Sequence, residues 1–255
     1  PREWFNPDGT SKYKDPAVRL LKALYGHPKA GDYWADKLED TLKGQGYARD
    51  EAWPGVFVKD AGKETMTMIV VYVDDLLFVG DADELNKIIP LIRKVVQMED
   101  PTTLTKYLGV HHHINRGTKG TEFVFDMRDY FKSAADIFQK ESGLTLKPAP
   151  TPYAPDLKQA DLDALQAKPG KWAKSAASIV MRLMYGARMA HPGVMTAVCR
   201  LSRELSRWTA DSDRKLVRLM SYVVGSTDHA LHGSLQFDDR DHLKLVAWPD
   251  ADLCG

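Results

Sequence analysis

Apolar positions along this chain fall into two rhythms. Between residues 56 and 79 they form short runs, Val56-Phe57-Val58, Met66-Thr67-Met68-Ile69-Val70-Val71 and Leu76-Leu77-Phe78-Val79. These predict two strands joined by the turn Asp60-Ala61-Gly62-Lys63, and a third that pairs back across Asp74-Asp75. Elsewhere the spacing is close to four. Trp34, Leu38 and Leu42 predict a helix after Pro28 that Gly44 or Gly46 stops. Asp81, with Glu84 three residues on, predicts a capping box and a helix to about residue 98. Its stripe of Leu85, Ile88, Ile89, Ile92, Val95 and Val96 belongs in a core, and Pro90 should kink it. A hairpin is expected from 107–114 and 122–125, then a helix over 127–140 closed by Gly143. Helices over 173–189, 193–208 and 211–224 follow, then strands over 233–237 and 243–248. Residues 1–15 read as an irregular lead-in and the proline-rich stretch 147–170 as a linker. Mixed strands and helices, then helices, then a fresh strand pair make an α+β chain.

At 255 residues there is room for one large or two ordinary domains. No apolar run approaches the ~18–20 residues needed to cross a bilayer, and nothing at the start reads as a signal peptide. Cys199 and Cys254 lie far apart and suit a reducing compartment. Lys/Arg and Asp/Glu balance at 35 each, but they are segregated. Residues 171–222 hold ten bases against three acids, and 72–100 hold seven acids against three bases. The first stretch suits a phosphate backbone or ordinary solvated helix faces, and the second concentrates cations.

The chemistry converges on Tyr72-Val73-Asp74-Asp75. Two adjacent carboxylates repel each other unless a cation sits between them, and flanking strands fix the geometry that a hard divalent ion needs. The residues alone also admit a solvated β-turn. His111, His112 and His113 are adjacent on a strand, so alternation keeps the three from converging on a metal. Arg200, Arg203 and Arg207 recur at three- and four-residue spacing on one helical face. With Arg214, Lys215 and Arg218 they are candidates for nucleic-acid phosphates. Trp208 and Tyr222 read as core.

Seven blocks in order resemble the copia-type (Pseudoviridae-like) retrotransposon polymerase. They are Leu21-Lys22-Ala23-Leu24-Tyr25-Gly26 with Trp34 (motif B), Tyr72-Val73-Asp74-Asp75 (motif C), and Lys106-Tyr107-Leu108-Gly109-Val110 (primer grip). Then come Lys147-Pro148-Ala149-Pro150-Thr151-Pro152, and Arg182-Leu183-Met184-Tyr185-Gly186 with His191-Pro192-Gly193-Val194. Leu201-Ser202-Arg203 and Trp248-Pro249-Asp250-Ala251-Asp252 complete the set.

The resemblance implies a partial reverse-transcriptase palm over 1–125, a mainly helical thumb and connection over 126–235, and the start of a ribonuclease H-like domain over 236–255. It implies two-metal nucleotidyl transfer from a dNTP to a primer 3′-hydroxyl, with Asp74 and Asp75 catalytic and binding Mg²⁺, or Mn²⁺ in its place. It puts Tyr72 beneath the primer end, and gives Tyr107, Leu108 and Gly109 a primer-positioning turn. The residues there equally fit a strand with a glycine bulge. The implied partners are an RNA or DNA template with primer, dNTPs and the remainder of the Pol polyprotein, with no membrane. The implied setting is a cytoplasmic virus-like particle, with access to the nucleus for DNA integration.

Three departures bear on activity. Lys29 stands where relatives have glutamine, Gly31 where they have proline and Asp32 where they have arginine, which alters the dNTP pocket. Lys29 is either a point charge on the triphosphate or a solvated lysine. Motif A, with its aspartate, is expected upstream of the Leu-Tyr-Gly block, where Asp8 and Asp15 lie in turn-like surroundings. The segment reads as missing, so the chain alone is expected to be inactive. Asp250 resembles the first ribonuclease H carboxylate, but the other acids of that site do not follow it, and no hydrolysis is expected. The rival readings are a decayed element that at most binds nucleic acid, and a small-molecule phosphotransfer or signalling domain.

Overall fold

α1 (Ala30–Gly44) forms where the four-residue spacing predicts it, burying Leu38 and Leu42. The computed structural model of the chain describes residues 2–15, 19–24, 26–237 and 244. Tyr25, Asp250 and, apart from Lys244, the strand predicted over 243–248 lie outside the described residues. Two compact units divide between Pro101 and Thr102.

In the first unit an antiparallel meander runs β1 (Ala48–Arg49), β2 (Val56–Lys59), β3 (Thr67–Tyr72), β4 (Asp75–Gly80). Its β-branched and aromatic residues suit a pleated, half-buried surface. Phe57 and Ile69 bury one face with α1 and with Ile88 and Ile92 of α2 (Ala82–Arg93). The Asp81 carboxylate caps α2 by accepting from the Asp83 and Glu84 N–H groups at 2.9 and 3.2 Å. The return arm of the expected capping box is not made, because Glu84 pairs with Lys87 at 2.6 Å. α2 also stops at Arg93 rather than near residue 98. Beyond it the chain turns so that Val96 is buried while Val95 stays exposed, and Arg93 reaches Asp100 at 2.5 Å.

In the second unit β5 (Lys106–Tyr107), β6 (Val110–Arg116), β7 (Gly120–Asp126) and β8 (Leu231–Gln236) form another antiparallel sheet. The strand expected over 107–114 is broken at Leu108-Gly109, where the chain reverses so that Tyr107 pairs with Val110. β8 joins β7, with Phe125 opposite Leu231. α3 (Arg128–Ser142), ended by Gly143 at φ 72°, α5 (Ala176–Met189), α6 (Met195–Ser202) and α7 (Ala210–Gly225) pack on one another, and Val110 and Phe125 of the sheet join their core. Phe131, Phe138, Leu183, Leu216 and Leu219 are at most 1% exposed in their core. α5 passes α3 so closely that a Cβ on Gly186 would lie 2.6 Å from Phe131 Cζ.

Two expectations fail here for tertiary reasons. The helix expected over 193–208 is a 3₁₀ turn (Pro192–Val194), α6 and another 3₁₀ turn (Leu205–Arg207). The Ser202 hydroxyl donates to the Cys199 carbonyl at 2.8 Å, and Glu204 turns toward α7 to accept from Ser212 and Lys215 at 2.7 and 2.6 Å. The stretch 147–170 is no free linker either. It straps α7, with Arg218 donating to the Thr151 carbonyl at 2.8 Å and Arg214 to the Pro155 carbonyl at 2.7 Å. It then forms α4 (Gln159–Gln166), which packs on α7. Prolines carry carbonyls without N–H groups, so the strap offers acceptors that arginines on α7 satisfy.

Candidate active site

β3 and β4 meet in a two-residue turn: Tyr72 pairs with Asp75, leaving Val73 and Asp74 as the link. Val73 sits at φ 57°, a left-handed conformation that a β-branched residue rarely adopts. Such a residue costs ~1–3 kcal/mol and persists only where its surroundings hold it. Here the holder is Trp34 of α1, whose indole N–H donates to the Val73 carbonyl at 2.7 Å. A second restraint lies one strand away, where the Val71 N–H donates to the Gly55 carbonyl at 2.7 Å. A Cβ on Gly55 would stand 2.9 Å from the Val71 carbonyl oxygen, so this approach needs glycine.

Tyr72, Val73, Asp74 and Asp75 are all exposed. Register partners share a sheet face, so Tyr72 and Asp75 lie on the side of Val70 and Leu77. The opposite side, with Ile69, Val71, Leu76 and Phe78, packs into the core. Among the described residues no hydrogen bond or ion pair engages either tip carboxylate. The tip therefore offers oxygen donors, uncompensated charge and a pinned backbone, which suits a hard divalent cation. No group of three or more His, Cys, Asp or Glu arranged for a metal occurs among the described residues. An ion at the tip would take its remaining ligands from elsewhere, and magnesium commonly takes them from water and phosphate.

The reverse transcriptase (RNA-dependent DNA polymerase) family profile matches residues 5–139, more than half of the chain and the whole of this hairpin. The chain belongs to the reverse transcriptase family. The Retrovirus-related Pol polyprotein from transposon RE1 of Arabidopsis thaliana is 28% identical over 239 residues, covering 93% of this chain and 15% of the relative. The polyprotein from transposon TNT 1-94 of Nicotiana tabacum is 26% identical over 246 residues, 95% of this chain and 18% of the relative. The putative transposon Ty5-1 protein of Saccharomyces cerevisiae is 26% identical over 259 residues, 96% of this chain and 76% of the relative. This reverse transcriptase chain is thus a copia-like retrotransposon Pol sequence and spans under a fifth of the plant polyproteins it matches. No solved structure matches it.

The remaining candidates are scattered over both units. Lys29 precedes α1, exposed, its carbonyl accepting from the Tyr33 N–H at 3.1 Å. Tyr107, Leu108 and Gly109 belong to the second unit, where Tyr107 ends β5 and Leu108-Gly109 form a two-residue turn, not a bulge, with φ of 48° at Leu108 and 80° at Gly109. Arg200, Arg203 and Arg207 do not share a helical face, because α6 ends at Ser202. Arg200 lies over the Tyr153 ring at 5.5 Å, while Arg203 and Arg207 are exposed. Their supposed companions are committed inside the fold. Asp211, 1% exposed, pairs with Arg214 and Lys215, each at 2.8 Å. Burial pushes the Asp211 carboxyl up, but the bonds from these two cations outweigh it and hold it below the ordinary carboxylate range. Arg218 serves the strap. His111 and His113 face Asp129 and Asp126 at 3.9 and 3.8 Å, while His112 packs edge-on against Phe125, so the triplet diverges as alternation requires. Trp208 fills core and Tyr222 packs against it. Sequence reasoning placed Trp34 on a helix face but missed its clamp on Val73, which links residues 39 apart.

Proposed function

We propose that this chain is the palm and thumb segment of a retrotransposon RNA-directed DNA polymerase, and that Asp74 and Asp75 are its catalytic carboxylates. The observation that carries this reading is the pinned, exposed tip bearing two carboxylates that no cation among the described residues neutralises. Bound Mg²⁺ would neutralise charge on the triphosphate and on the attacking 3′-oxygen. The chain's own part is positional. Trp34 fixes the turn, the turn fixes Asp74 and Asp75, and Tyr72 presents an exposed ring on the face of Asp75 for the primer terminus.

Nucleotidyl transfer of this kind calls for a further carboxylate, which the reading assigns to an aspartate-bearing strand encoded ahead of residue 1. In support, β4 ends the sheet order and its outer edge is unpaired among the described residues. An unpaired, largely apolar edge is a ready place for strand addition. The 255-residue chain is accordingly expected to give little or no primer extension with Mg²⁺ or Mn²⁺. A longer Pol product that includes the upstream strand is expected to extend a primer, and Asp74→Asn or Asp75→Asn in it to abolish extension. Extension by the 255-residue chain would refute the missing-carboxylate part, and an active Asp74→Asn variant would refute the site.

One observation favours a second reading, a decayed element that binds nucleic acid without chemistry. Lys29, Gly31 and Asp32 replace the residues that the resemblance expects in the nucleotide pocket. A longer product that binds template–primer but never extends it would support that reading.

A further inference from the structure

The turn between β5 and β6 is built against its own residue preferences. Both linking residues have positive φ, 48° at Leu108 and 80° at Gly109, the type I′ geometry that usually draws Asn-Gly. A leucine in the first position is strained and, in isolation, would favour other turns. Something outside the hairpin must hold it. That support comes from α5, where the Tyr185 hydroxyl donates to the Leu108 carbonyl across 77 residues. The Tyr185 ring also lines the space above Gly109, where an added Cβ would meet its Cε1 at 3.9 Å. Tyr130 of α3 backs the arrangement: its ring lies 5.7 Å from that of Tyr185, and its hydroxyl donates to the Arg182 carbonyl at 3.1 Å. The same helix carries Arg182 and Arg188, three residues to either side of Tyr185 and so on its face, and α5 contains no acidic residue.

We propose that Tyr185, backed by Tyr130, is a positioning residue that docks the Leu108-Gly109 turn onto α5, so that the turn and the α5 arginines engage one nucleic-acid strand as a rigid unit. This rests on the reading of the chain as a polymerase segment, since that reading gives the turn a primer to hold. A brace serving stability alone would need only to keep the turn formed. A positioning brace must also keep the turn at its place on the helix, and the two demands can be separated by substitution.

The test uses the 255-residue chain with Tyr185→Phe, Leu108→Asn and the double variant. Amide exchange over 105–112 reads turn order. Binding to a duplex with a recessed 3′ end, compared with the same duplex made blunt, reads primer preference. Tyr185→Phe, by losing one hydrogen bond, is expected to speed exchange about fivefold and to lower the preference for the recessed end by a similar factor. Leu108→Asn supplies the residue that the turn prefers, so the double variant is expected to recover slow exchange but not the preference. Recovery of both, or unchanged exchange in Tyr185→Phe, would overturn the proposal. A parent chain with no preference for the recessed end, yet with exchange that Tyr185→Phe still accelerates, would leave a structural brace. It would overturn the primer role and the polymerase reading beneath it.

Discussion

Val73 places a β-branched side chain in left-handed backbone beside two carboxylates, and Trp34 bears the cost of keeping it there. Asparagine tolerates that conformation far better than valine. Val73→Asn is therefore expected to stabilise the first unit by ~1 kcal/mol, the lower end of the strain such a residue stores. Trp34→Phe keeps most of the ring but removes the indole N–H, and is expected to destabilise the same unit by ~1–1.5 kcal/mol, the value of one hydrogen bond. Opening free energies from hydrogen exchange over 67–80 check both. Equal, near-zero effects would mean that the turn is neither strained nor clamped. None of this was legible beforehand. The Tyr-Val-Asp-Asp sequence advertises a turn, yet a clamp between residues 39 apart leaves no local trace.

Elements were legible where local pattern and tertiary need agree. The runs at 56–58, 66–71 and 76–79 became strands because one face meets a core and the other does not. α1 and α3 end at the glycines or polar turns that the pattern marks. The uninterrupted helical rhythm over 193–208 misled, because Glu204 gains more from Ser212 and Lys215 on α7 than from continuing a helix. The strap misled in the opposite sense, since proline-rich polar sequence is read as free chain unless its acceptors are known to be taken. His191 shows what such packing does to chemistry. It is 2% exposed, shares a hydrogen bond with Ser226 Oγ at 3.0 Å, and touches the rings of Phe131, Tyr222 and His229. Burial holds its imidazole below the ordinary pKa, with a smaller contribution from His229. The unfolded chain thus takes up a proton near pH ~6.5 that the folded chain refuses, so stability is lost as pH falls below that value, by at most ~1.4 kcal/mol per pH unit. His112, lowered chiefly by burial, acts in the same sense. Urea midpoints of the second unit between pH 7 and 5 are expected to fall, and less steeply in His191→Gln. An equal slope in that variant would show that His191 does not carry it.

For the molecule as a whole, the balance of 35 acids against 35 bases conceals a division of labour. The first unit holds the tip carboxylates, unpaired among the described residues, and the second holds the basic stretch, part of which is spent on Asp211, Glu204 and the strap. Among the described residues no helix is long and apolar enough to cross a membrane. The basic surface left over includes Arg188 on α5 with Arg203 and Arg207, a smaller set than the sequence promised. Everything functional turns on whether the hairpin tip gathers a divalent cation. Mn²⁺ titrated into the isotopically labelled 255-residue chain, with amide line broadening followed residue by residue, tests this most directly. The expected result is broadening that begins over 72–76 and disappears when Asp74→Asn and Asp75→Asn are combined. Broadening centred elsewhere, for instance around His111 and Asp129, or unchanged in the double variant, would contradict the account.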